Sequence, residues 1–198
     1  SNDELIDLEK HTYQQVYYWV AKLSKHQFVT DTKNQLKSSK NFLEQCTQVD
    51  GGYKVIYYLE TDFVRALGFT TPFLQLIERS NIIELIVNST FKTNQECFEL
   101  FTAIVNNGRY GVLLAYLYLD MFVPLEDLLD NQSDNRIQNH EGVLCEFFLA
   151  LWHENVFPTF ALVDKDIGQI NATEAAWDER MIVQICLWHV EHAVERKM

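Results

Sequence analysis

The sequence predicts an α/β (α+β) fold in which helices flank a mixed sheet of five strands. Three observations support this prediction. The apolar run Ile82–Val87 has the composition of a strand buried on both faces. Asn107-Gly108 separates two further apolar runs, and Asn-Gly indicates a hairpin because both residues accept positive φ. Beyond residue 140, strand-like and helix-like runs alternate, which predicts right-handed β-α-β crossovers.

Residues 1–80 are predicted to form an N-terminal helical region with one strand. Apolar side chains recur at three- and four-residue spacing across residues 5–24, which is typical of an amphipathic helix. A second helix is predicted from Lys33 to Cys46, with Asp31 or Thr32 as its cap. This region is expected to pack on the sheet that follows it.

Two shorter elements complete the N-terminal region, and a core unit is predicted over residues 81–198. Tyr53–Glu60 has strand composition, and Thr71-Pro72 begins a short helix because proline is favoured at the first helical position. The sheet of the core unit is predicted from Ile82–Val87, Cys97–Asn106, Tyr110–Met121, Thr159–Asp164 and Met181–Leu187. Helices are predicted at His140–His153, at Asn171–Trp177 and from Trp188 onward, with 125–139 as a loop or a frayed helix start. The first three strands should form an antiparallel meander, and the last two should run parallel to the first.

Charge and hydropathy restrict the classes of partner. The 198 residues are 47% hydrophobic, enough for a substantial core, and no apolar run reaches the roughly 18 residues that span a bilayer. The net charge of −12 argues against a broad nucleic-acid surface, because phosphate contacts need clustered basic residues. Lys33, Lys37 and Lys40 share one side of the second helix. They are a candidate DNA contact, or an ordinary solvated face.

The cysteines predict a reduced, intracellular protein. Four are present, widely spaced, and no Cys-x-x-Cys pair occurs. Cys186 and His189 have the spacing of zinc ligands, but a structural zinc needs four ligands and no second pair is visible. The sequence therefore predicts no bound zinc, with Cys186 a buried thiol and His189 at the junction of a strand and a helix.

Two predicted strands end in polar residues that could carry chemistry. Asn88-Ser89-Thr90 follows the first strand and Asp164-Lys165-Asp166 follows the fourth. If these strands are neighbours, a divalent metal held between their ends would generate a hydroxide nucleophile and stabilise a leaving oxygen. The alternative for Asp164 and Asp166 is a turn that caps the next helix.

Several segments together resemble the transposases of Mutator-like elements, particularly those common in fungi. The segments are NSTFKTN from residue 88, FELFTAIVNNGRYGVLLAYLYLD from 98, FALVDKDIGQINATEAAW from 160 and QICLWHV from 184. The resemblance extends from about residue 13 to the end of the sequence. It implies a ribonuclease-H-like core in which Asp, Asp and Glu bind two Mg²⁺ or Mn²⁺ ions for DNA cleavage and joining. It also implies a nuclear location.

The family's catalytic residues are only partly present. Its first Asp falls on Asn88, and its second falls on Asp164, where Val163 replaces the usual hydroxyl residue. Asp166 is a further candidate metal ligand. The Cys-x-x-His motif falls on Cys186 and His189, and the final Glu is expected beyond the end of this sequence. The resemblance therefore implies a core that is inactive in this form, with no metal cofactor.

Two functions remain open at this stage. The first is a transposase-derived domain related to DNA cleavage and strand transfer, inactive as written, whose DNA partner is implied by the resemblance alone. The second is a domesticated, non-catalytic protein-interaction module on the same scaffold. Its acidic face would lie between residues 111 and 160, where eight residues are acidic and one is basic. Such a face should repel DNA.

Overall fold

The computed structural model describes residues 34–50, 52–79, 82–90, 98–106, 110–121, 139–164, 166–177 and 181–186. These residues form four helices and seven strands. The helices are α1 (Gln35–Asp50), α2 (Phe73–Leu76), α3 (His140–His153) and α4 (Ile167–Trp177). The strands are β1 (Lys54–Glu60), β2 (Val64–Thr70), β3 (Glu84–Thr90), β4 (Glu99–Asn106), β5 (Gly111–Met121), β6 (Phe160–Val163) and β7 (Ile182–Ile185).

All seven strands belong to one mixed sheet, in the order β1-β2-β5-β4-β3-β6-β7. β3, β4 and β5 are antiparallel neighbours, and β6 and β7 continue the sheet on the other side of β3, parallel to it. These pairings confirm the predicted meander and the predicted neighbourhood of the first and fourth strands. The parallel connections contain α3 and α4, as parallel neighbours require a crossover.

The prediction of five strands was wrong, because β1 and β2 extend the sheet beyond β5. β2 pairs with β5 along its whole length, and β1 pairs with β2. Val64–Thr70 was not predicted as a strand, since Arg65 and Gly68 interrupt its apolar pattern. Gly68 is needed where α3 crosses the sheet, because a Cβ there would lie 2.7 Å from Phe147 Cδ2.

Two helices begin at residues other than the predicted ones, and in each the capping residue explains the start. The cap of α1 is Asn34, whose side-chain oxygen accepts a hydrogen bond from the Lys37 N–H at 2.9 Å. α4 begins at Ile167 rather than at Asn171, because the Asp166 side chain caps its first turn. The predicted helix at 5–24, the Asn107-Gly108 turn, the loop up to residue 138 and the helix from Trp188 lie outside the described residues.

The main core lies between the sheet and the helices α3 and α4. Five side chains of α3 are fully buried against it: Val143, Leu144, Phe147, Phe148 and Leu151. In β3, Leu85 and Val87 face this core and are buried, whereas Ile86 on the other face is only half-buried. The strand is therefore less enclosed than its composition predicts. The opposite face of the sheet carries a smaller cluster under α1, formed by Leu36, Leu43, Leu67, Phe69 and Phe98.

No helix in the part of the chain that the structure describes is both long and apolar enough to cross a bilayer.

Candidate functional site

The two polar strand ends lie side by side. β3 and β6 are parallel neighbours in which Ile86 is level with Leu162. Two residues further along, the same register places Asn88 level with Asp164. Because the carboxyl ends of adjacent parallel strands are where α/β sheets commonly bind ligands, this end of the sheet is the candidate site.

A cleft of about 330 Å³ opens at this end of the sheet, and we call it the acid-lined cleft. Its lining residues are Ser89, Glu99, Phe101, His140, Asp164, Asp166 and Gln169. They come from five elements: β3, β4, the first turn of α3, the end of β6 and the first turn of α4. The cleft is therefore assembled by the tertiary fold rather than by any one segment.

Asn88 is adjacent to the acid-lined cleft but is not among its lining residues. Successive side chains of a strand point to opposite faces, so Ser89 shares the face of the buried Leu85 and Val87. Asn88 belongs to the opposite face, and its backbone carbonyl accepts a hydrogen bond from Thr102 Oγ1 at 3.3 Å. From β3, the cleft thus receives the hydroxyl of Ser89 rather than the amide of Asn88.

The turn between β6 and α4 is held by reciprocal hydrogen bonds. Asp166 Oδ1 accepts from the Gln169 N–H at 2.8 Å, so the helix-capping alternative holds for Asp166. Gln169 Oε1 accepts from the Asp164 N–H at 2.6 Å. The Gln169 side chain is 1% exposed, and its Nε2 has no hydrogen-bond partner among the described residues.

His140 connects the first turn of α3 to the acids of the cleft. Its Nε2 lies 3.2 Å from Glu99 Oε2, and its ring packs against Phe101 with centroids 5.6 Å apart. The hydrogen bond to Glu99 raises the pKa of His140; burial opposes this shift, and the charges of Glu99 and Asp166 add to it. The arrangement therefore favours the imidazolium form.

Gly168 allows the first turns of α3 and α4 to approach each other. A Cβ at this position would lie 3.1 Å from Asp166 Oδ1 and 3.5 Å from His140 Nδ1. The glycine therefore brings the carboxylate of Asp166 and the ring of His140 to the same side of the cleft.

The carboxylates of the cleft do not form a ready metal centre. Within the described ranges, no three His, Cys, Asp or Glu side chains are grouped so that they could hold a metal ion. Glu99 is engaged by His140, and Asp166 is engaged by the helix cap. Mg²⁺ demands near-octahedral oxygen ligands and loses its waters reluctantly, so dispersed carboxylates bind it poorly.

The other residues that the sequence singled out lie away from the cleft or outside the described residues. Cys186 follows β7 and donates its N–H to the Val163 carbonyl at 2.9 Å. Its side chain is half-buried rather than buried as predicted, because β7 is the last strand of the sheet. His189 and Lys33 lie outside the described residues.

The two described lysines of the candidate DNA contact differ in their surroundings. Lys37 is exposed. Lys40 forms an ion pair with Glu44 at 2.7 Å and lies over the Tyr58 ring, 5.2 Å from its centroid. Lys40 is thus already engaged within the chain, which leaves Lys37 as the exposed charge of the pair.

Three cleft residues were missed by the sequence interpretation: Glu99, His140 and Gln169. Glu99 had a detectable signal, because strand alternation places it on the face of Phe101, Ala103 and Val105. An acid at the end of an otherwise apolar face marks a point where the core meets solvent. His140 and Gln169 had no comparable signal, since their roles depend on contacts between separate elements.

The comparisons with known proteins identify no relative. No family model matches the chain, and neither the curated proteins nor the solved structures contain a match. A function for this chain is therefore inferred from the geometry of this end of the sheet and from its sequence motifs.

Proposed function

We propose that this chain is a transposase-derived domain with a ribonuclease-H-like core, of nuclear location, that neither cleaves nor joins DNA in this form. The arrangement of the strands supports the proposal. An antiparallel meander of β3, β4 and β5 is followed by two strands added beside β3 and parallel to it. The resemblance to Mutator-like transposases implies such a core.

The observation that carries the proposed inactivity is the absence of a carboxylate at the described end of β3. Asn88, level with Asp164 beyond β6, is an amide, and the β3 side chain that lines the cleft is the Ser89 hydroxyl. Two-metal catalysis needs anionic carboxylates that hold two ions about 3.5–4 Å apart. An asparagine offers one neutral carbonyl oxygen, and its NH₂ group directs hydrogens toward a cation. Asp164 alone would leave a divalent ion largely hydrated.

The neighbouring acids do not replace the missing carboxylate. Glu99 is hydrogen-bonded to His140, and Asp166 caps α4. In this fold the group that faces the Glu99 carboxylate is the His140 imidazole, and this contact raises the pKa of His140.

The test is a plasmid-nicking assay with Mg²⁺ or Mn²⁺. The unaltered chain should give no more nicking than the Asp164→Asn variant, which controls for contaminating nuclease. Metal-dependent nicking by the unaltered chain that Asp164→Asn abolishes would overturn the proposal.

Metal binding provides a second readout by titration calorimetry. Asn88→Asp should bind Mn²⁺ at least about tenfold more tightly than the unaltered chain, a difference of about 1.4 kcal/mol. Asn155→Asp is the matched control, because it adds the same charge at the end of α3, where Asn155 has a φ of 64°. Equal gains in the two variants would show a general charge effect instead of a metal position at residue 88.

A second candidate is the non-catalytic protein-interaction module. The observation that favours it is the excess of negative charge, −12 over the chain and three carboxylates in the acid-lined cleft. Such a surface repels phosphates and attracts basic groups. This candidate is compatible with the first, because a scaffold that has lost its chemistry can keep a binding site.

A further inference from the structure

The Gln169 amide is a buried donor for which the described residues supply no acceptor. Its orientation follows from the Asp164 N–H, which is a donor and therefore requires the oxygen of the Gln169 side chain opposite it, at 2.6 Å. The NH₂ group is consequently the free end, and it has no hydrogen-bond partner among the described residues. Leaving a buried donor unsatisfied costs free energy, so this group calls for an acceptor supplied from the cleft that Gln169 lines.

The charge of the acid-lined cleft indicates the charge that the ligand must carry. Among the described lining residues, Glu99, Asp164 and Asp166 carry three negative charges, against at most one positive charge on His140. Glu99 and Asp166 alone therefore outnumber the one possible positive charge of these described lining residues, even when the imidazole is protonated. An anionic acceptor such as a phosphate would be repelled, whereas a cation that carries a neutral carbonyl nearby would satisfy both requirements.

We propose that the acid-lined cleft binds an arginine side chain of a peptide, with the guanidinium between Glu99 and Asp166 and a peptide carbonyl accepting from Gln169 Nε2. A guanidinium presents five N–H donors in a planar fork and is more weakly hydrated than an ammonium. It can therefore be held by separate carboxylates that are not grouped tightly enough for a metal ion. The cleft, at about 330 Å³, has room for one such side chain.

This inference rests on the proposed function, because the arginine occupies a cleft that holds no catalytic metal. The two tests are nevertheless separable. Peptide binding is measured in EDTA without DNA, and nicking is measured with metal and without peptide. Nicking by the unaltered chain would defeat the first proposal alone, and absence of peptide binding would defeat the second alone.

The experiment is an NMR titration of the ¹⁵N-labelled full chain with acetyl-Gly-Arg-Gly-amide. A matched peptide carries citrulline, which is neutral but nearly the same shape as arginine. The arginine peptide should shift the amide signals of Glu99, His140 and Gln169, and the citrulline peptide should not. Equal shifts with both peptides, or no shifts with either, would overturn the proposal. The proposal would also be overturned if Mn²⁺, titrated without EDTA, bound at these residues more tightly than the peptide does.

Two variants test the charge at the cleft. Asp166→Asn keeps the oxygen that caps α4 but removes the negative charge, so the affinity for the arginine peptide should fall about three- to tenfold. Glu154→Gln is the matched control, because it removes one negative charge from a remote pair with Lys54 and should leave the affinity unchanged. An equal loss in both variants would show general electrostatic attraction and contradict the proposed site.

The role of the Gln169 amide is tested by a ligand that lacks the carbonyl. In the unaltered chain, methylguanidinium should bind more weakly than the arginine peptide. In Gln169→Leu, checked for folding by its NMR spectrum, this difference should shrink, because the donor to the carbonyl is gone. Glu99→Gln provides a second variant should Gln169→Leu fail to fold, because its side-chain oxygen keeps an acceptor for His140. Its affinity for the arginine peptide should fall about as much as that of Asp166→Asn. If a folded Gln169→Leu still prefers the peptide over methylguanidinium as strongly as the unaltered chain does, Gln169 does not contact the peptide. If Glu99→Gln binds the arginine peptide with unchanged affinity, Glu99 does not contact the guanidinium.

Discussion

The acid-lined cleft and the opposite face of the sheet differ in how their charged and aromatic side chains are arranged. We call that opposite surface the aromatic face, formed by Tyr58, Phe69, Phe98, Tyr116 and Tyr118. Its ring pairs include Phe69 and Tyr116, with centroids 5.4 Å apart, and Phe98 and Tyr118, edge to face at 6.4 Å. Such packing is self-contained and stabilises the fold. The cleft, by contrast, is lined by three acids and one histidine, and the buried Gln169 Nε2 has no hydrogen-bond partner in the part of the chain that the structure describes.

The polar groups beside the aromatic face have partners within the chain. Arg65 forms an ion pair with Asp120 at 2.5 Å and lies 5.0 Å from the centre of the Phe98 ring. Burial and the hydrogen bond to Glu60 raise the pKa of Tyr58 to about 12, so this phenol stays neutral. Arg65 and Asp120 are thus paired within the fold, whereas the acids that line the cleft are the basis of the binding site proposed above.

The largest expected effect is on the aromatic face. Phe69→Ala should lower the free energy of unfolding by about 3–5 kcal/mol, because the 8% exposed ring packs against the rings of Tyr53, Tyr116 and Tyr118 and its loss leaves a cavity. Urea unfolding measures the change. Phe63→Ala is the control, since Phe63 is 44% exposed and should lose under about 1 kcal/mol. Similar losses at the two positions would contradict a structural role for the aromatic face.

A smaller effect on stability is expected when a charge is removed from either region, and it should differ between the two. Arg65→Met should cost about 1–3 kcal/mol of stability, because it leaves Asp120 half-buried without its cation. Asp166→Asn should change stability by less than about 0.5 kcal/mol, because the oxygen that caps α4 is kept. Thermal and urea unfolding of both variants check the difference. A larger loss in Asp166→Asn than in Arg65→Met would reverse the comparison.

The smallest effect concerns pH. Glu99 raises the folded-state pKa of His140 above the unfolded value of about 6.5. The stabilisation from this link is therefore complete below the unfolded pKa and is lost as pH rises through the folded pKa, an effect of about 1 kcal/mol or less. Urea unfolding between about pH 6 and 9, where histidine titrates, should show this loss in the unaltered chain and a weaker one in Glu99→Gln. Parallel pH profiles for the two proteins would contradict the link.

Local patterns in the sequence determined much of the fold. The helix His140–His153 has the predicted bounds, because its apolar side chains fall on one stripe and Asn139 caps it, accepting from the Gly142 N–H at 2.6 Å. The strands β3 to β7 were predicted to within three residues at each end. The pairing of β4 with β5 followed from the hairpin signal, and the pairing of β3 with β6 followed from the crossover rule. These features depend on the periodicity and turn chemistry of short segments, which a sequence displays directly.

Tertiary structure alone decided the extent of the sheet and the membership of the cleft. β2 is a strand because β5 and β1 pair with it and Phe147 fills the space over Gly68, none of which a local pattern contains. His140 and Glu99 are 41 residues apart in the chain, yet their side chains are hydrogen-bonded. Strand pairing and charge contacts between distant segments form only when the chain closes on itself, so a pattern within one segment does not specify them.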